Sequence, residues 1–193
     1  MDITSGTTYA NGSFKDLDLE GASLRNASFS DCTFSKCRLS KVDLMGAVFA
    51  DCVFDHCELT LPKLVDAGLH GAAFKGCKLV GVDFTKCNTK FFGVSFDDCL
   101  IDTCNFSSLK LKRTPFLHCT IRESRFIESI LTEADFEGCD LEGTVFHGCD
   151  LQKTSFLRAK NYSIDPTTNV LKGATFSLPE AISLLMRLGI ILN

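Results

Sequence analysis

Of the residues with the chemistry for metal binding, nucleophilic attack or proton transfer, the 24 Asp and Glu read as a solvated face, which leaves 11 cysteines and 4 histidines to weigh. The cysteines recur five apart, as in Cys32 with Cys37, Cys52 with Cys57 and Cys99 with Cys104. Structural zinc is held by CxxC-like pairs backed by close His or Cys partners, and redox dithiols use the same short spacing. A separation of five fits neither. His56, His70, His118 and His147 are scattered along the chain, no base, nucleophile and orienting group gather in one motif, and no glycine-rich phosphate loop is present. The expectation is therefore no catalytic residue, no metal and no cofactor, so the spacing of the thiols calls for an explanation in the backbone.

That spacing belongs to the whole chain. From Phe14 an apolar residue returns at every fifth position through Phe84, lapses at Thr89, and resumes two residues out of phase from Phe96 to Phe156. Neither a helix nor an alternating strand has this period. With the apolar residue taken as the centre of each unit, every cysteine falls two places before it, at a position otherwise filled mostly by Ala, Gly, Ser, Thr and Val. No Asp, Glu, Lys or Arg between residues 12 and 158 occupies either place. Two positions of every five therefore face a dry interior and three face water, because an unpaired buried charge costs more than a domain's net stability can absorb.

The units Ala47-Val48-Phe49-Ala50-Asp51 and Ala134-Asp135-Phe136-Glu137-Gly138 carry an A(D/N)LXX-like signature, and over residues 12–158 the chain resembles the pentapeptide-repeat family. The resemblance implies an all-β fold, a right-handed quadrilateral β-helix with four units to a coil and a short C-terminal helix cap. Residues 20 apart then stack on one face, and Phe14, Phe34, Phe54 and Phe74 do form one column and Leu19, Leu39, Leu59 and Leu79 another. If two residues loop out near Thr89, the columns continue as Phe96, Phe116, Phe136 and Phe156 and as Ile101, Ile121 and Leu141, with Phe91, Phe92 and Phe176 left outside them. About seven coils at about 4.8 Å each make a rod about 35 Å long. Inside it, Cys37, Cys57 and Cys77, and separately Cys99, Cys119 and Cys139, are expected to form ladders of reduced thiols.

The expected organisation is an N-terminal cap over 1–11, the repeat over 12–158 with its register break near 85–95, and a capping and dimerisation segment over 159–193. In the last segment Ser177 with Glu180 reads as a capping box, Pro179 as a first-turn residue and Gly189 as a stop. They predict a helix from about Leu178 to Leu188 and an extended tail from Ile190 to Leu192. Ile182, Leu184, Leu185, Met186, Leu188 and Ile190 make an apolar face too wide to cap one coil, which predicts a two-fold homodimer; a cap on a monomer is the alternative. No basic and apolar signal sequence is visible, and the apolar run from Ile182 to Leu192 is broken by Ser183, Arg187 and Gly189. The expected location is cytoplasmic, without membrane contact.

The ending narrows the resemblance. Asn161-Tyr162-Ser163-Ile164-Asp165, then Phe176-Ser177-Leu178-Pro179-Glu180-Ala181-Ile182-Ser183-Leu184-Leu185 and Arg187-Leu188-Gly189-Ile190, together with the stretch from Phe106-Ser107-Ser108-Leu109-Lys110-Leu111 to Phe116-Leu117-His118-Cys119, are similar to the topoisomerase-protecting branch of the family. That branch includes the Qnr quinolone-resistance proteins, the microcin immunity protein McbG and the albicidin-resistance protein AlbG. The resemblance implies a dimeric rod that is like B-DNA in width and negative charge, acts on DNA gyrase or topoisomerase IV, and relieves the effect of a topoisomerase poison.

Charge agrees with this reading. A net charge of −4 disfavours direct nucleic-acid binding, which relies on cations that displace phosphate counterions. From residue 123 to 150 the acids Glu123, Glu128, Glu133, Asp135, Glu137, Asp140, Glu142 and Asp150 face Arg125 alone. Glu133, Asp135, Glu137, Asp140 and Glu142 are the candidate partner-binding residues on this acidic surface. Phe91 and Phe92, beside Lys86 and Lys90 at the register break, are a second candidate contact, or else fold back over the coil edge. The competing function is an interaction scaffold for another protein partner, with the acidity incidental.

Overall fold

In the computed structural model, which describes residues 3–191, the chain is a parallel β-solenoid of about eight turns with one short helix near its C-terminal end. Each strand is two to four residues long and pairs in parallel with the strand one coil away, Phe14 opposite Phe34 and Phe34 opposite Phe54. Stacking begins at Thr8–Ala10, which pairs with Ser28–Ser30, and ends at Thr175–Phe176, which pairs with Ser155–Phe156. The coil thus extends past both ends of the stretch over which the five-residue signature reads.

The interior is a set of ring and aliphatic columns. Phe14, Phe34, Phe54, Phe74, Phe96, Phe116, Phe136 and Phe156 stack with centroids 4.7 to 5.3 Å apart. Phe176, expected outside the column, continues it at 5.1 Å from Phe156. It lies 20 residues, one full coil, beyond Phe156, and the five-residue pattern that would have revealed it is lost in the irregular units between. Two further aromatic runs, on different faces, meet the first edge-on: Tyr9, Phe29 and Phe49 near the N-terminal end, and Phe84, Phe106, Phe126 and Phe146, which spans the break. Edge-to-face contact suits the ring quadrupoles, so rings with such a partner are fixed from two directions.

Size is only half of what the cysteine position requires. Cys57 and Cys77 donate through Sγ to the carbonyls of Phe34 and Phe54, each at 3.2 Å. Hydroxyls do the same elsewhere: Ser129 to Phe106, Thr144 to Ile121 and Thr154 to Leu131, each at 2.8 Å. An inward-turned carbonyl in a dry core must find a donor. Cys, Ser and Thr are the small residues that bring one. The outward corner positions turn in the left-handed region, where Asn11, Asp16, Gly21 and Asn26 sit, residue types whose short side chains or missing Cβ suit that conformation.

At the register break the extra residues loop out and the faces stay aligned, Leu79 opposite Ile101 and Phe74 opposite Phe96. Cys77 and Cys99 become neighbours as a result, and the two expected thiol ladders are one, from Cys37 through Cys57, Cys77, Cys99 and Cys119 to Cys139. Hydrogen bonds from neighbouring thiols, reinforced by burial, push Cys77 and Cys119 far above the ordinary thiol range. All 11 cysteines are buried and free.

The last coil departs from the repeat. Ile164 lies opposite Phe146, a step shorter than a full coil, and Tyr162 turns inward against Phe156 and Phe176. The two lost residues are recovered at Asp165–Thr168, where Asn169 donates to the carbonyls of Phe146 at 3.0 Å and Asp165 at 2.9 Å. The helix, α1 (Ile182–Arg187), is shorter than expected and has no side-chain cap. Ser177, expected to cap it, instead accepts the Arg158 amide at 2.9 Å and fastens the ending to the coil. Gly189 does stop the helix, with φ of 74°. Leu192, placed in the expected tail, lies outside the described residues.

Candidate interaction surfaces

Each unit sends three side chains outward, so neighbours in sequence part onto different faces and neighbours in space come from successive coils. The acidic stretch is shaped by this. Its carboxylates are spread over four faces as a belt around the rod. Glu133 sits beside the column continuing from Leu111, Asp135 and Glu137 flank Phe136, Asp140 and Glu142 flank Leu141, and Glu128 follows Phe126. The flanking coils supply cations to it: Arg113 reaches Glu133 at 3.3 Å, Arg122 reaches Asp140 and Glu142 at 3.9 and 3.8 Å, Lys160 reaches Asp140 at 3.8 Å, and Arg158 pairs with Glu137. Asp135 accepts the Glu137 amide at 3.0 Å. Four of the five candidate acids are therefore partly neutralised from one coil away, which spacing along the sequence conceals. Glu123 and Glu128 stand over Gly143 and Gly148, where no side chain competes for space.

The C-terminal end carries exposed apolar surface. Met186 is 68% exposed, and Leu185, Leu188 and Ile190 are exposed beside it, while Leu184 packs on the core and Ile182 is half-buried. Ile182, Met186 and Ile190 also line a shallow apolar hollow at the rod end. The helix face thus divides into a cap, centred on Leu184, and a free patch.

At the register break the two phenylalanines take opposite roles. Phe92 packs against the core, its ring 6.3 Å from Phe84, and covers the coil where Thr89 leaves the apolar position unfilled. Phe91 is 64% exposed, edge-on to His70 at 5.7 Å, with the Lys90 ammonium 5.3 Å from its ring centroid. The histidines are outward: His56 contacts Asp55 at 2.9 Å and His118 lies 3.6 Å from Asp97. Among the described residues no group of three or more His, Cys, Asp or Glu is arranged to hold a metal ion, and no helix is long and apolar enough to cross a membrane.

The stacked five-residue units agree with a comparison to known families: the model described as the pentapeptide repeat region matches residues 7–84, 47–126 and 89–176. The chain belongs to the pentapeptide-repeat family. Among solved pentapeptide-repeat structures, a trypsin-treated form of QnrB1, a plasmid-mediated fluoroquinolone resistance protein, is similar with a TM-score of 0.65 at 16% identity over 96% of this chain and 100% of that one. Full-length QnrB1 is similar with a TM-score of 0.50 at 18% identity over 95% and 100%. HetL, a pentapeptide-repeat protein involved in heterocyst differentiation regulation in the cyanobacterium Nostoc sp., has a TM-score of 0.61 at 17% identity over 88% and 85%. No curated protein matches the chain in sequence. These likenesses are likenesses of fold.

Proposed function

We propose that this pentapeptide-repeat protein is a noncatalytic cytoplasmic DNA mimic that binds a type II topoisomerase, DNA gyrase or topoisomerase IV, as a homodimer and counters a poison of that enzyme. The observation that carries the reading is the position of the acidic belt, a few coils from a free apolar patch at the rod end. Joined tail to tail through Met186, Leu188 and Ile190, two copies bring their belts toward a common centre, making a long anionic surface for a channel built to hold phosphate. The C-terminal sequence resemblance and the fold shared with a fluoroquinolone resistance protein support the same choice. The test is supercoiling by purified gyrase with and without a quinolone, combined with competition between this protein and DNA for the enzyme. Competition, with restored supercoiling in the presence of drug, is the expected result.

A second reading, a scaffold for a different protein, draws on two observations: the belt is partly neutralised by Arg113, Arg122 and Arg158, and the fold is shared with HetL. Absence of any competition with DNA for gyrase or topoisomerase IV selects it.

A further inference from the structure

The register break builds a feature opposite in sign to the belt. Thr89 to Phe92 stand off the next coil and, with Ser108 to Lys110, enclose a recess of about 250 Å³. Lys90 and Lys110 line it, and Lys112 and Arg113 follow on the same coil as Lys110. Arg113 is paired with Glu133, but neither Lys90 nor Lys110 is engaged in an ion pair among the described residues. The wall is apolar where Phe91 stands exposed and Phe92 forms the back. Nothing in the packing of the coil calls for Phe91 outside: Phe92 alone covers the gap.

We propose that this recess docks a short acidic peptide segment of a partner protein, with Phe91 receiving an apolar anchor side chain and Lys90 and Lys110 pairing with flanking carboxylates. The proposal is independent of the topoisomerase reading. An apolar anchor beside paired charges is the usual composition of a binding hot spot with a polar rim. Extended nucleic acid fits less well. It carries a charge about every 3.4 Å along a single strand, and one coil from the recess, about 5 Å, it meets Glu128 and Glu133 inside a Debye length of about 8 Å. The cationic region is only long enough for a few carboxylates.

The experiment is fluorescence anisotropy with the full chain and a labelled short peptide of Asp and Glu around one central Phe. The comparators are the same peptide with Ala at the centre, its Lys counterpart, and an oligothymidylate of matching length. Expected are saturable binding of the acidic Phe peptide, a loss of about tenfold on Phe91→Ala, a larger loss on Lys90→Glu with Lys110→Glu, and weakening with salt. All three positions are at the surface, so an unchanged melting temperature establishes that the variants are folded. Failure of the acidic peptide to bind, binding unaffected by these substitutions, or tighter binding of the oligothymidylate would each overturn the proposal. Because the assay contains no topoisomerase, its outcome is separable from the gyrase experiment.

Discussion

The rings of Phe74 and Phe96 are stacked 5.3 Å apart and 11° from parallel, although two residues more than one coil lie between them in the chain. Stacking of the interior thus outranks regular spacing along the backbone, and the surplus is expelled as a loop at the corner. A column held this closely cannot collapse around a deletion. Phe54→Ala removes a ring stacked between Phe34 at 5.0 Å and Phe74 at 4.8 Å and is expected to cost about 3 to 5 kcal/mol, read from urea unfolding. A loss under about 1 kcal/mol would show that the coils close the gap, contrary to close packing.

The inner donor position makes a second expectation. Thr144→Val keeps the volume but strands the Ile121 carbonyl that its hydroxyl meets at 2.8 Å, and the cost should be about 1 to 3 kcal/mol. Thr144→Ser, which keeps the donor, should cost less than Thr144→Val although it removes more carbon. The reverse order in urea midpoints refutes the donor role.

The period of five, the inward pair of positions and the Phe14 column were legible because each depends on side-chain polarity alone. The meaning of cysteine was only half legible. Its smallness shows in the company it keeps, but the carbonyl it serves belongs to another coil. Ser129, Thr144 and Thr154 at the same position were the available signal, since apolarity alone does not select hydroxyls. The aromatic column through Phe84, Phe106, Phe126 and Phe146 was readable at the same spacing as the Phe14 column. The pairings that blunt the belt, such as Arg122 with Asp140, were hidden because opposite charges a coil apart look remote in sequence. Ser177 misled for a related reason: a local capping pattern lost to the Arg158 amide of the preceding coil.

Stability should fall on the alkaline side. Burial raises Cys52 to about 11 and Cys87 and Cys104 to about 12, and burial, with Glu180 nearby, raises Tyr162 to about 12. Unfolded thiols ionise near about 8.5 and unfolded tyrosine near about 10. Above those values the unfolded chain releases protons that the folded chain keeps, so this contribution is full below about pH 8.5 and is lost progressively toward about pH 12. The urea midpoint should drop steadily over that window, and less steeply in Cys104→Ala measured against its own neutral value. A flat profile would mean that the thiols ionise without unfolding.

The apolar patch can be tested apart from the cap. Met186→Asp with Ile190→Asp places carboxylates on the free side of the ending and leaves Leu184 on the core, so the coils should stay folded while the dimer dissociates. Sedimentation of the wild type as a monomer at high concentration ends the dimer proposal.

The belt offers a test whose two arms have opposite signs. Charge reversal at Glu133, Asp135, Glu137, Asp140 and Glu142 should weaken topoisomerase binding, and the weakening should shrink as salt rises, because a cationic channel is attracted at long range. That arm alone is ambiguous, since the same substitutions also break the contacts of Arg113, Arg122 and Arg158 with neighbouring coils. Substituting the cations resolves it. Arg113→Glu, Arg122→Glu and Arg158→Glu remove the arginine partners of the belt, leaving only Lys160 beside Asp140, and make the rod more anionic. A DNA mimic should then bind its topoisomerase more tightly at low salt. A scaffold that recognises the paired surface by shape should bind its partner less well. Tighter binding in the second set with weaker binding in the first is the outcome expected here, and weakening in both sets would remove the electrostatic reading while leaving the fold and its columns untouched.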